Sequence, residues 1–179
     1  MGKVLLSAVL GGVILFIWSS MSWMVLPWHN NTFLGFSNEA VVSQAMLAGS
    51  EKPGVYLTPN MHDGKGDDSQ MGKYTGPFAL IIWNREGWGD MGHKMLFAFV
   101  GDVLAALVAA LLLSLATIRS FGKRVLFVAL LGLFAGVSVH LSNFIWWGFS
   151  KDFTLVAVAD LFIAWLLAGL ALAKLNTGR

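Results

Sequence analysis

Two absences limit what this chain of 179 residues can be: it contains no cysteine, and only 12% of its residues are charged. The lack of cysteine excludes disulfides, thiolate metal sites and a cysteine nucleophile. Soluble globular domains contain about 25% charged residues, whereas here 56% of the residues are apolar. The composition therefore excludes an ordinary soluble domain and indicates long segments surrounded by lipid.

Motifs that mark catalysis or nucleotide binding are also lacking. The chain has no GxSxG elbow, no HExxH or CxxCH motif and no glycine-rich phosphate loop. The formal net charge is only +2, and the basic residues lie at the ends of apolar segments instead of forming one patch. This distribution argues against nucleic-acid binding, and nothing in the sequence supports an enzymatic activity.

What the chain does contain is four apolar segments long enough to cross a bilayer, which takes about 20 helical residues. They lie at 4–26, 95–118, 125–147 and 154–173. Backbone groups in the hydrocarbon core need partners within their own segment, and no alternating strand pattern is present, so the spans should be helical. We expect an all-α membrane protein, a four-helix bundle forming one membrane domain over 1–179.

Lys and Arg residues predict the orientation of these spans. Six of the 12 lie in the short flanks 1–3, 119–124 and 174–179, and the other six are spread through 27–94 and 148–153. Both termini should therefore be cytoplasmic. The first span has no small-x-small cleavage site after it and should remain as an uncleaved anchor.

The segment 27–94 should form a small extracytoplasmic cap, because it is too long for a plain connection. Residues 37–39 resemble a helix start and 40–48 are compatible with a short helix. Residues 54–58 and 77–83 are strand-like and predict a β-hairpin over the mouth of the bundle. The turn 62–68 is rich in Asp and Gly but lacks EF-hand spacing, so we expect a solvated loop, not a calcium site.

Three ionisable residues interrupt the spans: Asp102, His140 and Asp160. Each lies six or seven residues from the outer end of its span, roughly 10 Å deep at 1.5 Å per residue. Ser19 and Ser22 of the first span lie near the same height, and Asn143 lies about one turn outward of His140. We expect a buried polar layer near the outer leaflet in which the imidazole pairs with the two carboxylates.

Small residues share a helix face with each of these groups, which predicts that the three side chains point inward. The members of these stripes are Ala98, Ala105 and Ala109 with Asp102, Gly132 and Gly136 with His140, and Ala157, Ala164 and Ala168 with Asp160. The layer has two interpretations. It either fastens the helices together by hydrogen bonds, or it forms a site for a ligand, a metal or a proton.

Metal and haem interpretations would need further ligands. His29 follows the first span and His93 precedes the second, so both could approach His140, Asp102 and Asp160 from outside. No spacing motif supports either interpretation, and boundary histidines are more often ordinary surface residues. The sequence therefore leaves open whether the protein binds a cofactor and which one.

Tryptophans cluster near the predicted outer boundaries, where amphipathic rings prefer the headgroup layer. These residues are Trp23, Trp28, Trp83, Trp88, Trp146 and Trp147. They predict an interfacial aromatic belt.

Four stretches resemble those of a functionally uncharacterised family of small bacterial inner-membrane proteins. They are SWMVLPWH at 22–29, GVY at 54–56 with Pro59, GPFA at 76–79 and HLSNFIWWGF at 140–149. The resemblance implies a four-span inner-membrane protein with a periplasmic loop, and implies no activity or cofactor.

Taken together, these features predict a noncatalytic accessory, assembly or scaffold protein of the membrane. We expect its partners to be the lipid bilayer and either further copies of itself or a larger membrane complex. The alternative is a ligand-binding or proton-coupled transport protein that uses the Asp–His–Asp layer.

Overall fold

The computed structural model describes residues 2–60 and 75–176, and the chain divides into two compact units. One consists of Met1–Leu34 with Asp90–Arg179, and the other of Gly35–Gly89. The predicted loop at 62–68 lies outside the described residues.

The first unit contains the long apolar helices. They are α1 (Gly2–Met24), α3 (Met91–Leu115), α4 (Phe121–Gly136), which continues through a π-helical turn (Val137–Leu141) into α5 (Ser142–Trp147), and α6 (Lys151–Leu175). These elements make four segments long and apolar enough to cross a membrane, which confirms the four predicted helical spans. The chain is a multi-pass membrane protein.

The observed helices begin two to four residues before the predicted spans, because hydrophobicity does not mark a helix start. The Asp90 side chain accepts a hydrogen bond from the backbone N–H of His93 and caps α3. The Ser150 side chain accepts one from the N–H of Phe153 and caps α6. Both capping residues lie in polar sequence outside the apolar run, where N-caps are preferred.

The helices of the first unit pack in the order α3, α1, α6, α4. Consecutive α3 and α4 contact each other little, whereas α1 packs on both α3 and α6, and α4 packs along α6. The buried core lies in the half of the bundle that contains the α3–α4 connection. Its members are Leu15, Ala106, Ala109, Ala110, Leu113, Val128, Ala164, Ala168 and Leu172.

Small residues set the close approach of these helices. A Cβ placed on Gly12 would lie 2.7 Å from the Cα of Val103 in α3. One placed on Gly132 would lie 2.5 Å from the Cβ of Trp165 in α6. In a membrane, association depends on such close packing, because lipid is as apolar as the side chains. The predicted stripe along α6 is buried at Ala157, Ala164 and Ala168, whereas Ala98 of the α3 stripe is exposed.

The second unit contains α2 (Glu39–Gly49) and an antiparallel pair, β1 (Gly54–Thr58) and β2 (Ala79–Trp83). The short helix and the first strand confirm the sequence prediction. Asn38, within the predicted helix start, caps α2 by accepting from the N–H of Val41. The second strand begins at Ala79, two residues after the predicted start, because Ala79 pairs with Thr58 at the end of β1.

Candidate polar site

Asp160 is the centre of a buried polar cluster in the first unit. It lies in the first half of α6 on the small-residue stripe, and 9% of its surface is exposed. Its Oδ1 accepts hydrogen bonds from Trp18 Nε1 at 2.6 Å and from Ser22 Oγ at 2.8 Å. Its Oδ2 lies 3.2 Å from Nε2 of His29. Both carboxylate oxygens therefore have protein partners.

Two of these partners come from α1. Trp18 and Ser22 are four residues apart, so they lie on one face of the helix. That face meets α6, because α1 packs against it. An indole N–H and a hydroxyl on a long apolar helix need acceptors, and the Asp160 carboxylate of α6 supplies both.

The other partners come from the chain just after α1. Trp28 Nε1 donates to the Ser22 backbone oxygen at 3.2 Å and to Ser22 Oγ at 2.9 Å. His29 is 1% exposed, and its ring stacks on Trp23 with centroids 3.9 Å apart and planes 9° apart. The segment that leaves α1 thus folds back and covers the polar cluster at the end of the bundle where α1 ends.

We call Trp18, Ser22, Trp28, His29 and Asp160 the Asp160 cluster. Its hydrogen bonds are complete around Ser22, whose hydroxyl donates to Asp160 and lies 2.9 Å from the Trp28 nitrogen and 3.1 Å from Nε2 of His29. With Nε2 protonated, His29 can donate to both Ser22 Oγ and Asp160 Oδ2. Satisfied polar networks of this kind rigidify the structure that contains them.

The Asp160 cluster contains a serine, a histidine and an aspartate, but it lacks the geometry of a catalytic triad. In a triad the histidine contacts serine through one ring nitrogen and aspartate through the other. Here Nε2 of His29 faces both residues, and the serine proton points to the carboxylate. Ser22 is also 0% exposed. The arrangement can hold two helices and a turn together, but it does not position Ser22 as a nucleophile.

The structure corrects the predicted pairing within the polar layer. His29, not His140, is the imidazole beside Asp160, and no described hydrogen bond or ion pair joins Asp102 or His140 to Asp160. The His140 ring packs near Phe153, with centroids 6.4 Å apart. Phe153 is seven residues before Asp160 in α6, roughly 10 Å along the helix. His29 and His140 therefore contact α6 at different positions along its length.

Asp102 and His140 are each half-buried, and each has one buried atom without a hydrogen-bond partner among the described residues. These atoms are Oδ2 of Asp102 and Nδ1 of His140. His140 belongs to the π-helical turn, where the extra residue changes the rotation of the helix. These two residues are the part of the predicted layer that the Asp160 cluster leaves out.

The remaining predicted residues lie in different surroundings. Ser19 donates to the carbonyl of Phe16 in its own helix. Asn143 is half-buried in α5, and its backbone oxygen accepts from Phe149. His93 is exposed, with Nδ1 3.4 Å from Asp90 at the start of α3. Among the described residues, no three His, Cys, Asp or Glu side chains are grouped to hold a metal ion.

The tryptophans of the predicted aromatic belt have different surroundings in the structure. Trp88, Trp146 and Trp23 are exposed, as is Trp147 to a smaller extent. Trp83 ends β2 in the second unit. Trp28 is different, because its indole nitrogen binds Ser22 inside the cluster.

Trp18 is the residue that sequence reasoning missed. A signal for it exists, since a tryptophan in a span, one turn before a serine and away from the boundary, needs an acceptor within the protein.

Comparison with known proteins identifies no relative of this chain. The chain matches no family model, no curated protein and no solved structure. The site must therefore be interpreted from its own chemistry.

Proposed function

We propose that this protein is a noncatalytic scaffold or assembly component of a bacterial inner membrane, with both termini in the cytoplasm. The orientation rests on the Lys and Arg residues of the short flanks. The scaffold role rests on one observation in the second unit, the exposed apolar surface of its β-hairpin.

That surface lies on one face of the two-stranded sheet. Val55 pairs with Ile82 across the strands, and the two side chains are 69% and 80% exposed. Leu57 and Leu80 form the next pair on the same face and are half-buried. The hairpin lies outside the four long apolar helices, so crossing the bilayer does not account for this exposure. Contiguous exposed apolar surface of this kind marks interaction sites.

The Asp160 cluster supports the noncatalytic part of the proposal. Its polar groups are paired with one another and buried, so the cluster fixes the start of the outer segment to α6. A firmly held start of the segment that leads to the hairpin is a suitable arrangement for a scaffold.

Photocrosslinking in native membranes tests the scaffold role. A photoreactive phenylalanine analogue at Ile82 should give one discrete adduct with a second copy or another membrane subunit. The same analogue at Thr58, an exposed position on the opposite face of the sheet, serves as the matched control. Adducts with lipid alone from Ile82, together with a monomeric mass in mild detergent, would contradict the proposal.

A second candidate function is proton or ligand binding at Asp102 and His140, favoured by their buried atoms without partners. Asp102→Asn and His140→Gln should then abolish binding or pH-dependent activity while leaving the fold intact. Unchanged behaviour in both variants would remove this candidate.

A further inference from the structure

Arg124 is a buried cation at the end of the bundle opposite the Asp160 cluster. It lies in the first turn of α4 and is 8% exposed, whereas Arg119 and Lys123 beside it are exposed. A cation placed at a membrane boundary only to set orientation would remain in water, as its two neighbours do. The burial of Arg124 therefore calls for a separate explanation.

The guanidinium is only partly satisfied. Its Nη1 donates to the carbonyls of Arg119 at 3.1 Å and Ile118 at 3.4 Å. Its Nε is buried and has no partner, and within the described ranges no carboxylate pairs with it. A buried charge is costly unless an opposite charge and further hydrogen bonds compensate it.

The chain has no Asp or Glu side chain near this end to supply that compensation. All 10 Asp and Glu residues lie between positions 39 and 102 or between 152 and 160. The flanks of the spans on the Arg124 side, 1–3, 119–124 and 174–179, contain Lys and Arg but no acidic residue. No Asp or Glu side chain in these flanks can therefore act as the counter-anion of Arg124.

The start of α4 provides a second feature suited to an anion. Ser120 occupies the N-cap position, but its side chain makes no capping hydrogen bond. The N–H groups and dipole of an uncapped helix start attract anions, phosphate groups in particular. The carbonyls that bind the guanidinium belong to residues 118 and 119, directly before this helix start. The buried cation and the uncapped helix start are thus adjacent.

We propose that this place binds a phosphate group, supplied by the headgroup of an anionic phospholipid. Arg124 is the buried anchor, with Arg119 and Lys123 at the rim. The planar guanidinium suits bidentate binding of phosphate oxygens. The site lies at the end of two membrane-spanning helices, which is the level of lipid headgroups. A free phosphate would offer the same chemistry.

Native mass spectrometry of the full chain in mild detergent tests this proposal. The protein is titrated with phosphatidylglycerol, with phosphatidylcholine and with inorganic phosphate. We expect phosphatidylglycerol to bind at least 10-fold more tightly than phosphatidylcholine. Arg124→Lys keeps the charge but loses the fork of donors, and should weaken phosphatidylglycerol binding about 10-fold. Lys174→Gln, which removes an exposed cation from α6, should change it less than twofold.

Equal retention of the two lipids, or equal losses in the two variants, would overturn the site and leave only general surface charge. Competition by millimolar inorganic phosphate in the wild type, lost in Arg124→Lys, would support the phosphate chemistry. Arg124-dependent binding of inorganic phosphate without any lipid preference would overturn the lipid as its source. Circular dichroism of each variant establishes that the helices are retained, so that loss of binding is not loss of fold.

Discussion

Removal of the Asp160 carboxylate is the most informative perturbation of this protein. Asp160→Ala deletes the acceptor of three groups, Trp18 Nε1, Ser22 Oγ and His29 Nε2. Hydrogen bonds between membrane helices contribute on average about 0.6 kcal/mol and at most about 1.7 kcal/mol. Three such bonds therefore correspond to about 2–5 kcal/mol of stability.

A conservative variant separates hydrogen bonding from charge. Asp160→Asn keeps an oxygen that can accept from Trp18 and Ser22, and its amide can donate to His29 when Nε2 is unprotonated. It also removes the cost of a buried charge. We expect Asp160→Asn to lose less than half as much stability as Asp160→Ala.

Reversible unfolding in mixed micelles, followed by helical circular dichroism and by tryptophan emission, measures these differences. Asp102→Asn is the matched control, since Asp102 also lies in a span but its Oδ2 has no partner among the described residues. Its free energy of unfolding should change by less than about 0.5 kcal/mol. The reasoning is refuted if Asp160→Ala and Asp102→Asn have the same small effect.

Three further predictions address the same serine, the helix packing and a helix cap. Ser22→Ala should destabilise by about 1–2 kcal/mol, whereas Ser19→Ala, which loses only a bond within its own helix, should have little effect on the unfolding midpoint. Gly12→Ala places a Cβ against the Val103 backbone and should cost about 1–3 kcal/mol, while Gly101→Ala, with open space around it, should be neutral or slightly stabilising in the same assay. A hydrogen bond from the backbone N–H of His93 holds the pKa of Asp90 below its ordinary value of 3.8. The capping contribution is therefore complete above about pH 4 and is lost as the pH falls through the lowered pKa. The protection factors of the amides at the start of α3, corrected for the intrinsic exchange rate, should fall in acid, and Asp90→Asn, which still caps, should remove this fall.

The membrane architecture was predictable because it depends on a property that is local in sequence. About 20 consecutive apolar residues predict a span wherever they occur, and the four spans were confirmed. The hairpin was predictable for a similar reason, since β-branched and aromatic residues in 54–58 and 79–83 are separated by a turn-like segment. Helix starts were missed by a few residues, because capping by Asp90 and Ser150 depends on polar residues outside the apolar run.

The partner of Asp160 could not be predicted in the same way, because it depends on how the chain turns after a span. Depth along a helix can be counted from sequence, and it placed Asp160 and His140 in one layer. The return of His29 toward the cluster depends on Trp28 binding Ser22 and on Trp23 stacking against the imidazole ring. Such contacts between residues outside and inside a span are invisible to helix periodicity.

There is also a physical reason why His29, and not His140, is the partner of Asp160: a buried polar group without a hydrogen-bond partner is costly. Asp160 is more deeply buried than Asp102, and it is the carboxylate that α1 reaches with both Trp18 and Ser22. Trp18 and Ser22 both donate to Oδ1 of Asp160. Hydrogen bonds in one network strengthen each other, so a further donor to Oδ2 is favoured at Asp160. His29 reaches the Asp160 carboxylate from the turn that follows α1, whereas His140 contacts α6 nearer the start of that helix, at Phe153. The Asp160 carboxylate thus fastens the segment that follows α1 to α6, whereas Oδ2 of Asp102 and Nδ1 of His140 have no hydrogen-bond partner among the described residues.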